Sequence, residues 1–511
     1  MPILSKRPLR LPRVAPEVWL ATAVALAALL VRLHGLGDKP LWLDEVTSLR
    51  RATMPVADLV GDSLRRKHDP AYFLLLWLVA HWGTSQGLLR LPSAVFAALA
   101  AGLTAAIGAR VAGLRSGLAA GLLMALAPFD VQLGQEARSY ELVACLILAA
   151  LAGLAALARA PATAGVRWRD GACPRGAWLA YALGTAAALN VLSVALFWLV
   201  ASNLGALAIA RDAGEARGAF LRRWAVVQGL IVVAWLPGLI AILAYAKPDL
   251  MHGSNWEADD ARTISWAILG PVYLLRASAF ITLDVAPAAV PGLGILVAAA
   301  AVMGAWQLRR ERALLATLAA SALVVPLGAA ALGLGLLHSG AMPILVPRYY
   351  AWCMGPYFIL AGIGLGRLQH ARFGAASAAL ALALAINLTP YYRAETKPRW
   401  DLAAAMLAKE ARPGDVVLLD NYSSYYVLSA FAAGSGLDRR GLTFVWERAR
   451  AAELARGHGL WAVYGRVGQG ELKPAAAYLE TLASLGTPVS EQAIGRYIVL
   501  WRLDRTRHSA G

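Results

Sequence analysis

Apolar runs of about twenty residues recur along most of the chain, separated by short polar or basic connections. They fall at Trp19–Leu36 and at 92–110, 117–135, 138–158, 176–190, 191–210, 224–245, 287–308, 313–337, 348–366 and 373–390. Such runs suit a hydrocarbon core of roughly 30 Å. Lys6, Arg7, Arg10 and Arg13 precede the first run, and basic connections lie at Arg110–Arg115, Arg159–Arg175, Arg211–Arg223, Arg309–Arg312 and Arg367–Arg372. Basic loops favour the cytoplasm, and placing all of these there requires two crossings between each consecutive pair. The pattern predicts about eleven spanning helices, with the N-terminus inside and the C-terminus outside. The first run is not followed by a small-residue cleavage pattern and is expected to be a retained helix.

Two apolar stretches are then expected not to span. Ala71–Trp82 is only about 18 Å long as a helix, and its tryptophans and flanking histidines suit the interface. Thr263–Leu283, interrupted by Pro271 and Arg276, is assigned to the interface by the parity of the basic loops. After Pro390 the pattern changes. An amphipathic helix over Trp400–Lys409 precedes strands at Val416–Leu419, Leu442–Trp446, Leu460–Tyr464 and Tyr497–Arg502, with helices at 448–456 and 472–484. This alternation predicts a small α/β domain over 391–511, outside the cytoplasm, after a helical membrane domain over 1–390 whose first outer loop covers about 37–90. The glycines of Gly465–Gly470 lack dinucleotide-loop spacing and read as a turn.

Composition agrees with a mainly α, polytopic membrane protein. Of 511 residues 59% are hydrophobic and 15% charged, with a mean hydropathy of +0.56; soluble domains are less apolar and carry more charge. The net charge of +17 reflects anchoring loops and does not imply a nucleic-acid partner. Cys145, Cys173 and Cys353 have no CxxC spacing, so neither a disulfide framework nor a cysteine metal site is expected.

Candidate chemistry gathers on the predicted outer face. It comprises the acidic pair Asp44-Glu45 just past the first helix, His68-Asp69-Pro70 opening the interfacial helix, Gln135-Glu136-Ala137-Arg138-Ser139-Tyr140 between two spans, and His338 and Arg348-Tyr349-Tyr350. Acids at a membrane boundary are costly and point to function. Taken singly, each has a plainer reading. Asp44-Glu45 is a solvated helix end, His68 an anchor, Asp69-Pro70 a helix start, Glu136-Arg138 a local ion pair, Arg348 a snorkelling cation and the tyrosines belt residues. Arg50, Arg51, Arg65, Arg66 and Lys67 depart from the charge rule in the outer loop. They are either statistical exceptions or cations facing phosphate.

In order and spacing, Leu43-Asp44-Glu45, His68-Asp69-Pro70-Ala71-Tyr72, Leu89–Ala94 and Gln135–Tyr140 resemble the GT-C glycosyltransferase superfamily. The similarity is to its protein O-mannosyltransferase and lipid A aminoarabinose transferase branch. It covers most of the first 240 residues and, more loosely, Arg348-Tyr349 and the C-terminal region. In that family the matching first-loop acid is Asp44, the His-Pro-Pro element corresponds to His68-Asp69-Pro70 with Asp69 replacing a proline, and Glu-Ala-Arg-x-Tyr corresponds to Glu136, Arg138 and Tyr140. A familiar histidine–tyrosine pair near the fifth helix is missing; Asn190 and an apolar run occupy that stretch.

The resemblance implies an enzyme of a bacterial inner membrane that takes a sugar from a polyprenyl-phosphate donor at the periplasmic face. The acceptor is a hydroxyl or phosphate on a glycolipid, glycan or protein. Asp44 and Glu45 are the expected catalytic residues, Asp44 as general base and Glu45 positioning it or the acceptor. His68, Asp69, Glu136, Arg138, Tyr140, Arg348 and Tyr349 are the expected donor-phosphate or substrate-binding residues. One in-line displacement implies inversion. No cofactor is required. A divalent metal is compatible if Asp44, Glu45, His68 and Glu136 meet, although no ligand pair has metal-site spacing. A polysaccharide polymerase or ligase, or a transporter, remains the alternative; no inverted repeat supports the last.

Overall fold

The computed structural model describes residues 15–159, 175–245, 293–324, 347–456, 458–465 and 476–504. Thr263–Leu283, His338, Cys173 and the glycines at 466–470 lie outside the described residues.

The helices of the first part are α1 (Pro16–Leu33), α2 (Leu43–Ala52), α3 (Val56–Arg65), α4 (Ala71–Ala80), α5 (Gln86–Ala112), α6 (Leu114–Leu126), α7 (Pro128–Gly134) and α8 (Tyr140–Arg159). They are followed by α9 (Arg175–Val191), α10 (Leu196–Asp212), α11 (Arg217–Tyr245), α12 (Leu293–Gln307), α13 (Arg312–Ala319), α14 (Met354–Gly366) and α15 (His370–Arg393). Local chemistry sets several boundaries. Ser85 caps α5 by accepting from the Leu88 amide, and Gly113, at φ +90°, turns the chain from α5 directly into α6. Glycine also permits close helix crossings: a Cβ on Gly304 would collide with the Leu360 carbonyl, and one on Gly364 with the Ala300 carbonyl, where α12 crosses α14.

Six described helices are long and apolar enough to cross a membrane, or seven if α6 and α7, bent by 60°, form one span. The remaining predicted runs give shorter helices. Those at 287–308 and 313–337 are only partly described, and the run at 348–366 starts with a 3-10 turn at Pro347–Cys353 before α14. The α6–α7 bend has a local cause: Pro128 cannot continue the ladder, and Arg32 donates to the Met124 and Ala125 carbonyls while pairing with Asp130.

Basic connections converge at one end of the bundle. Arg159 donates to the Arg110 and Val111 carbonyls and pairs with Glu311 at 3.3 Å, Arg115 bonds His370, and Asp212 accepts from the Ala313 amide at 3.3 Å. The opposite end carries α2–α4 and the 135–139 turn. Helix α4 has 10 residues, too short to span.

The C-terminal part begins with α16 (Trp400–Glu410) and contains α17 (Tyr422–Leu428), α18 (Arg448–Leu454) and α19 (Ala476–Leu485). Its strands are β1 (Val416–Leu419), β2 (Thr443–Val445), β3 (Leu460–Gly465), β4 (Thr487–Ile494) and β5 (Ile498–Asp504). They form one sheet in the order β2-β1-β3-β5-β4, with β2, β1 and β3 parallel and the β3–β5 and β4–β5 pairs antiparallel. Strand β4 was not expected. It is a largely exposed edge whose register shifts between Pro488 and Ser490, so it lacks the apolar alternation of a half-buried strand. The sheet's core does not stop at residue 391: Leu41 and Val46, from the first loop, are buried with Trp400, Leu407, Val417 and Leu419.

Candidate active site

Helix α2 turns two adjacent carboxylates in different directions. Glu45 is fully buried and held on all sides. Its Oε1 accepts from Arg90 Nε at 2.7 Å and from the Ala137 amide at 3.0 Å; its Oε2 accepts from Arg90 Nη2 at 2.8 Å and from Lys397 Nζ at 2.8 Å. Burial works against the charged form, but Arg90 and Lys397 outweigh it and hold the carboxyl well below its usual range. The remaining Arg90 donors bind the Leu36, Lys39 and Pro40 carbonyls. One guanidinium therefore ties the start of the first loop, α2 and α5 together.

Asp44 is only half-buried and faces the other way. Its Oδ2 lies 3.7 Å from Arg138 Nε and 3.9 Å from Arg348 Nη2, beyond hydrogen-bonding distance but close enough for strong attraction. Desolvation pushes this carboxyl up; the two guanidiniums outweigh it and hold it below the ordinary carboxylate value. Arg138 Nε and Arg348 Nε are both buried without a hydrogen-bond partner. Buried donors of this kind are normally satisfied, so the pair suits an anion.

The turn at 135–139 is fixed from several elements. Gln135 donates to the Arg32 and His34 carbonyls and accepts from Tyr391, and Ser93 donates to the Arg138 carbonyl. The Arg138 ring neighbour is Tyr140, whose hydroxyl is 3.4 Å from Nη2 and whose ring lies 6.1 Å from that of Tyr349. Arg348 sits 5.5 Å from the centre of the Trp42 ring. Glu136 is buried, with Gln132 Nε2 at 3.4 Å. Burial pushes its carboxyl up, partly countered by Lys397.

His68 and Asp69 play different parts. His68 Nδ1 is 3.2 Å from Arg51 Nη1, and burial with the nearby Arg138 and Arg51 charges pushes the imidazole down to about 3. At neutral pH His68 is an uncharged polar group, not a cation. Asp69 points away: its Oδ2 accepts from the Ser193 amide and hydroxyl, each at 2.7 Å, anchoring the start of α4 to the turn before α10. Most first-loop cations are engaged within the protein. Arg51 pairs with Asp62 at 2.9 Å, Arg66 with Asp62 at 3.1 Å, and Arg50 donates to Ser429 and the Tyr426 carbonyl.

The structure thus brings Asp44, Glu45, Glu136, Arg138, Tyr140, Arg348 and Tyr349 to one place, with His68 beside them and Asp69 facing the α9–α10 connection. Sequence reasoning missed Arg90 and Lys397. Arg90 carried a signal, as the arginine of the Leu89–Ala94 element near the start of a long, mostly apolar helix. Lys397, in a polar linker, carried none. Among the described residues no group of three or more His, Cys, Asp or Glu side chains is placed to hold a metal ion.

No protein-family model and no curated protein matches the chain. Solved structures do. The oligosaccharyltransferase AglB from Archaeoglobus fulgidus, in complex with an inhibitory peptide and a dolichol-phosphate, superposes with a TM-score of 0.53 at 11% identity, covering 88% of this chain and 69% of its own. The oligosaccharyltransferase of the same organism in complex with Zn and sulfate gives 0.51 at 11% identity, covering 87% and 68%. ArnT from Cupriavidus metallidurans, bound to undecaprenyl phosphate, gives 0.42 at 16% identity, covering 96% and 99%. The chain has the GT-C fold.

Proposed function

We propose that this chain is a membrane glycosyltransferase that moves a sugar from a polyprenyl-phosphate donor to a hydroxyl or phosphate of a glycolipid, glycan or protein. The observation that carries this reading is the half-buried Asp44 carboxylate, free of direct hydrogen bonds to the two guanidiniums whose unused buried donors flank it. That is one anionic base beside one anion site, the two groups a displacement at a phosphate-activated sugar needs. The GT-C fold and the dolichol-phosphate bound by AglB support a lipid-linked donor.

In the proposed step the donor phosphate lies against Arg138 and Arg348. Asp44 takes the proton of the acceptor hydroxyl as the acceptor oxygen bonds to the anomeric carbon. The bond from that carbon to the phosphate oxygen breaks, and the electron pair leaves with the polyprenyl phosphate. Arg138 and Arg348 stabilise the growing charge. They also set the timing: while unoccupied they depress Asp44, and once a phosphate shares their charge the carboxylate becomes more basic. A single displacement inverts the anomeric configuration. Glu45 is the positioning residue that fixes α2, and Tyr140 and Tyr349 wall the anion site. His68 donates or accepts hydrogen bonds as a neutral ring, and Asp69 holds α4. The chemistry requires no metal cofactor, since two arginines suffice for a single phosphate.

This reading includes about eleven spanning helices, with 1–390 as the catalytic membrane domain and 391–511 as an outer domain. The basic end of the bundle faces the cytoplasm of a bacterial inner membrane and the Asp44 end faces the periplasm. The experiment is mass spectrometry of envelope glycolipids and glycoproteins from cells with the chain, without it, and with Asp44→Ala. A sugar-bearing product should vanish in the last two; its full persistence with Asp44→Ala would rule out Asp44 as the base.

A further inference from the structure

Beyond the Asp44 centre, the carboxyl ends of the parallel strands β1 and β2 bring aromatic rings together. Tyr422 lies 5.3 Å from Trp446 and 6.0 Å from Tyr425, while Tyr425 lies 5.7 Å from both Trp446 and Phe444. Rings of this size are normally covered, yet Tyr422 is 51% and Trp446 43% exposed. Exposed apolar surface held in a fixed cluster points to a partner.

The chemistry of the patch selects the occupant. The exposed large hydrophobic side chains of segments 420–426 and 443–448 are Tyr422 and Trp446, both aromatic. The rim is polar, with Asn421, Glu447 and Arg448 exposed and Asp420 accepting from Asn421 at 2.9 Å. A bilayer surface would favour aliphatic side chains beside the aromatics. A sugar ring instead presents polarised C–H groups on one face, which suit the negative face of an aromatic ring, and hydroxyls around its edge, which suit amide, carboxylate and guanidinium groups. The patch also reaches α2. Tyr426, 6.2 Å from Tyr422, stacks 3.9 Å beneath the Arg50 guanidinium of α2, the helix whose first turn carries Asp44.

We propose that Tyr422, Tyr425 and Trp446 form a carbohydrate-binding platform that holds a sugar ring of a glycan acceptor beside α2. The acceptor role rests on the transferase reading; the binding of carbohydrate does not.

Saturation-transfer NMR on the full chain in detergent tests the platform. The probes are lipopolysaccharide core oligosaccharide freed of lipid A, maltoheptaose and, separately, phosphatidylethanolamine–phosphatidylglycerol vesicles. At least one oligosaccharide should receive saturation on its ring C–H protons, in the wild type and equally in Asp44→Asn. Each aromatic is worth about threefold to tenfold in affinity, so Tyr422→Ala/Trp446→Ala should lose the signal while Trp446→Phe keeps most of it. An unchanged signal in the double variant, no signal from either oligosaccharide, or a double variant that loses only vesicle binding would each overturn the platform. Loss of sugar transfer by every assay with oligosaccharide binding intact would count against the transferase reading alone.

Discussion

Lys397 Nζ donates to Glu45 Oε2 across 2.8 Å, joining residues 352 positions apart. The bond connects the neighbour of Asp44 to the segment that leads into the C-terminal sheet, and Leu41 and Val46 extend the same junction into that sheet's core. The position of the proposed base is therefore set by both parts of the chain.

Glu45→Ala leaves Arg90 and Lys397 buried without their carboxylate. Removing one partner of a buried pair costs about 3–5 kcal/mol. Thermal unfolding in detergent should show a clear loss of stability, and Lys397→Met should lower activity through misplacement of α2 more than through loss of donor binding.

Asp44→Asn breaks no direct hydrogen bond to Arg138 or Arg348 and should cost less stability than Glu45→Ala, while lowering transfer by about 10²–10⁴-fold. Single-turnover measurements with a saturating donor separate this from a binding defect.

Arg138→Ala and Arg348→Ala should weaken binding of polyprenyl phosphate, each by about 1.5–3 kcal/mol for the loss of charge-assisted hydrogen bonds. Lysine at either position keeps the charge but not the fork, so direct binding measurements should find intermediate affinity.

The acid limb of stability has two sources. Glu45 and Asp44 are held below their unfolded values, so their contribution is present above about pH 4.5 and is lost as the pH falls through the folded values. His68 is held down to about 3, so between about 6.5 and 3 the unfolded chain binds the extra proton and stability falls on acidification. Unfolding temperatures measured from pH 7 to 4 should decline, and His68→Gln should flatten the upper part of that decline.

The helical membrane part was legible because twenty-residue apolar runs and basic connections are strong, local signals. The gathering of Arg110, Arg115, Arg159 and Glu311 at one end follows from the same alternation. In the C-terminal part, β1, β2, β3 and β5 have the apolar content of covered strands, whereas the exposed edge β4 does not. At the site, motif order pointed to Asp44, Arg138 and Arg348, which meet. It separated Asp44 as base from Glu45 as its support only through the resemblance; which of two adjacent helix residues is enclosed is decided by packing, since they diverge by about 100°. The Glu45–Lys397 bond carries no local pattern. Nor does sequence alone reveal that burial, with Arg138 and Arg51 nearby, holds the His68 imidazole down.

The most direct measurement uses the purified chain in nanodiscs with a labelled polyprenyl-phosphate sugar and an envelope acceptor fraction, comparing wild type with Asp44→Asn. The account predicts label in the acceptor only with wild type, and equal binding of polyprenyl phosphate by both proteins. Transfer at the wild-type rate by Asp44→Asn would contradict it.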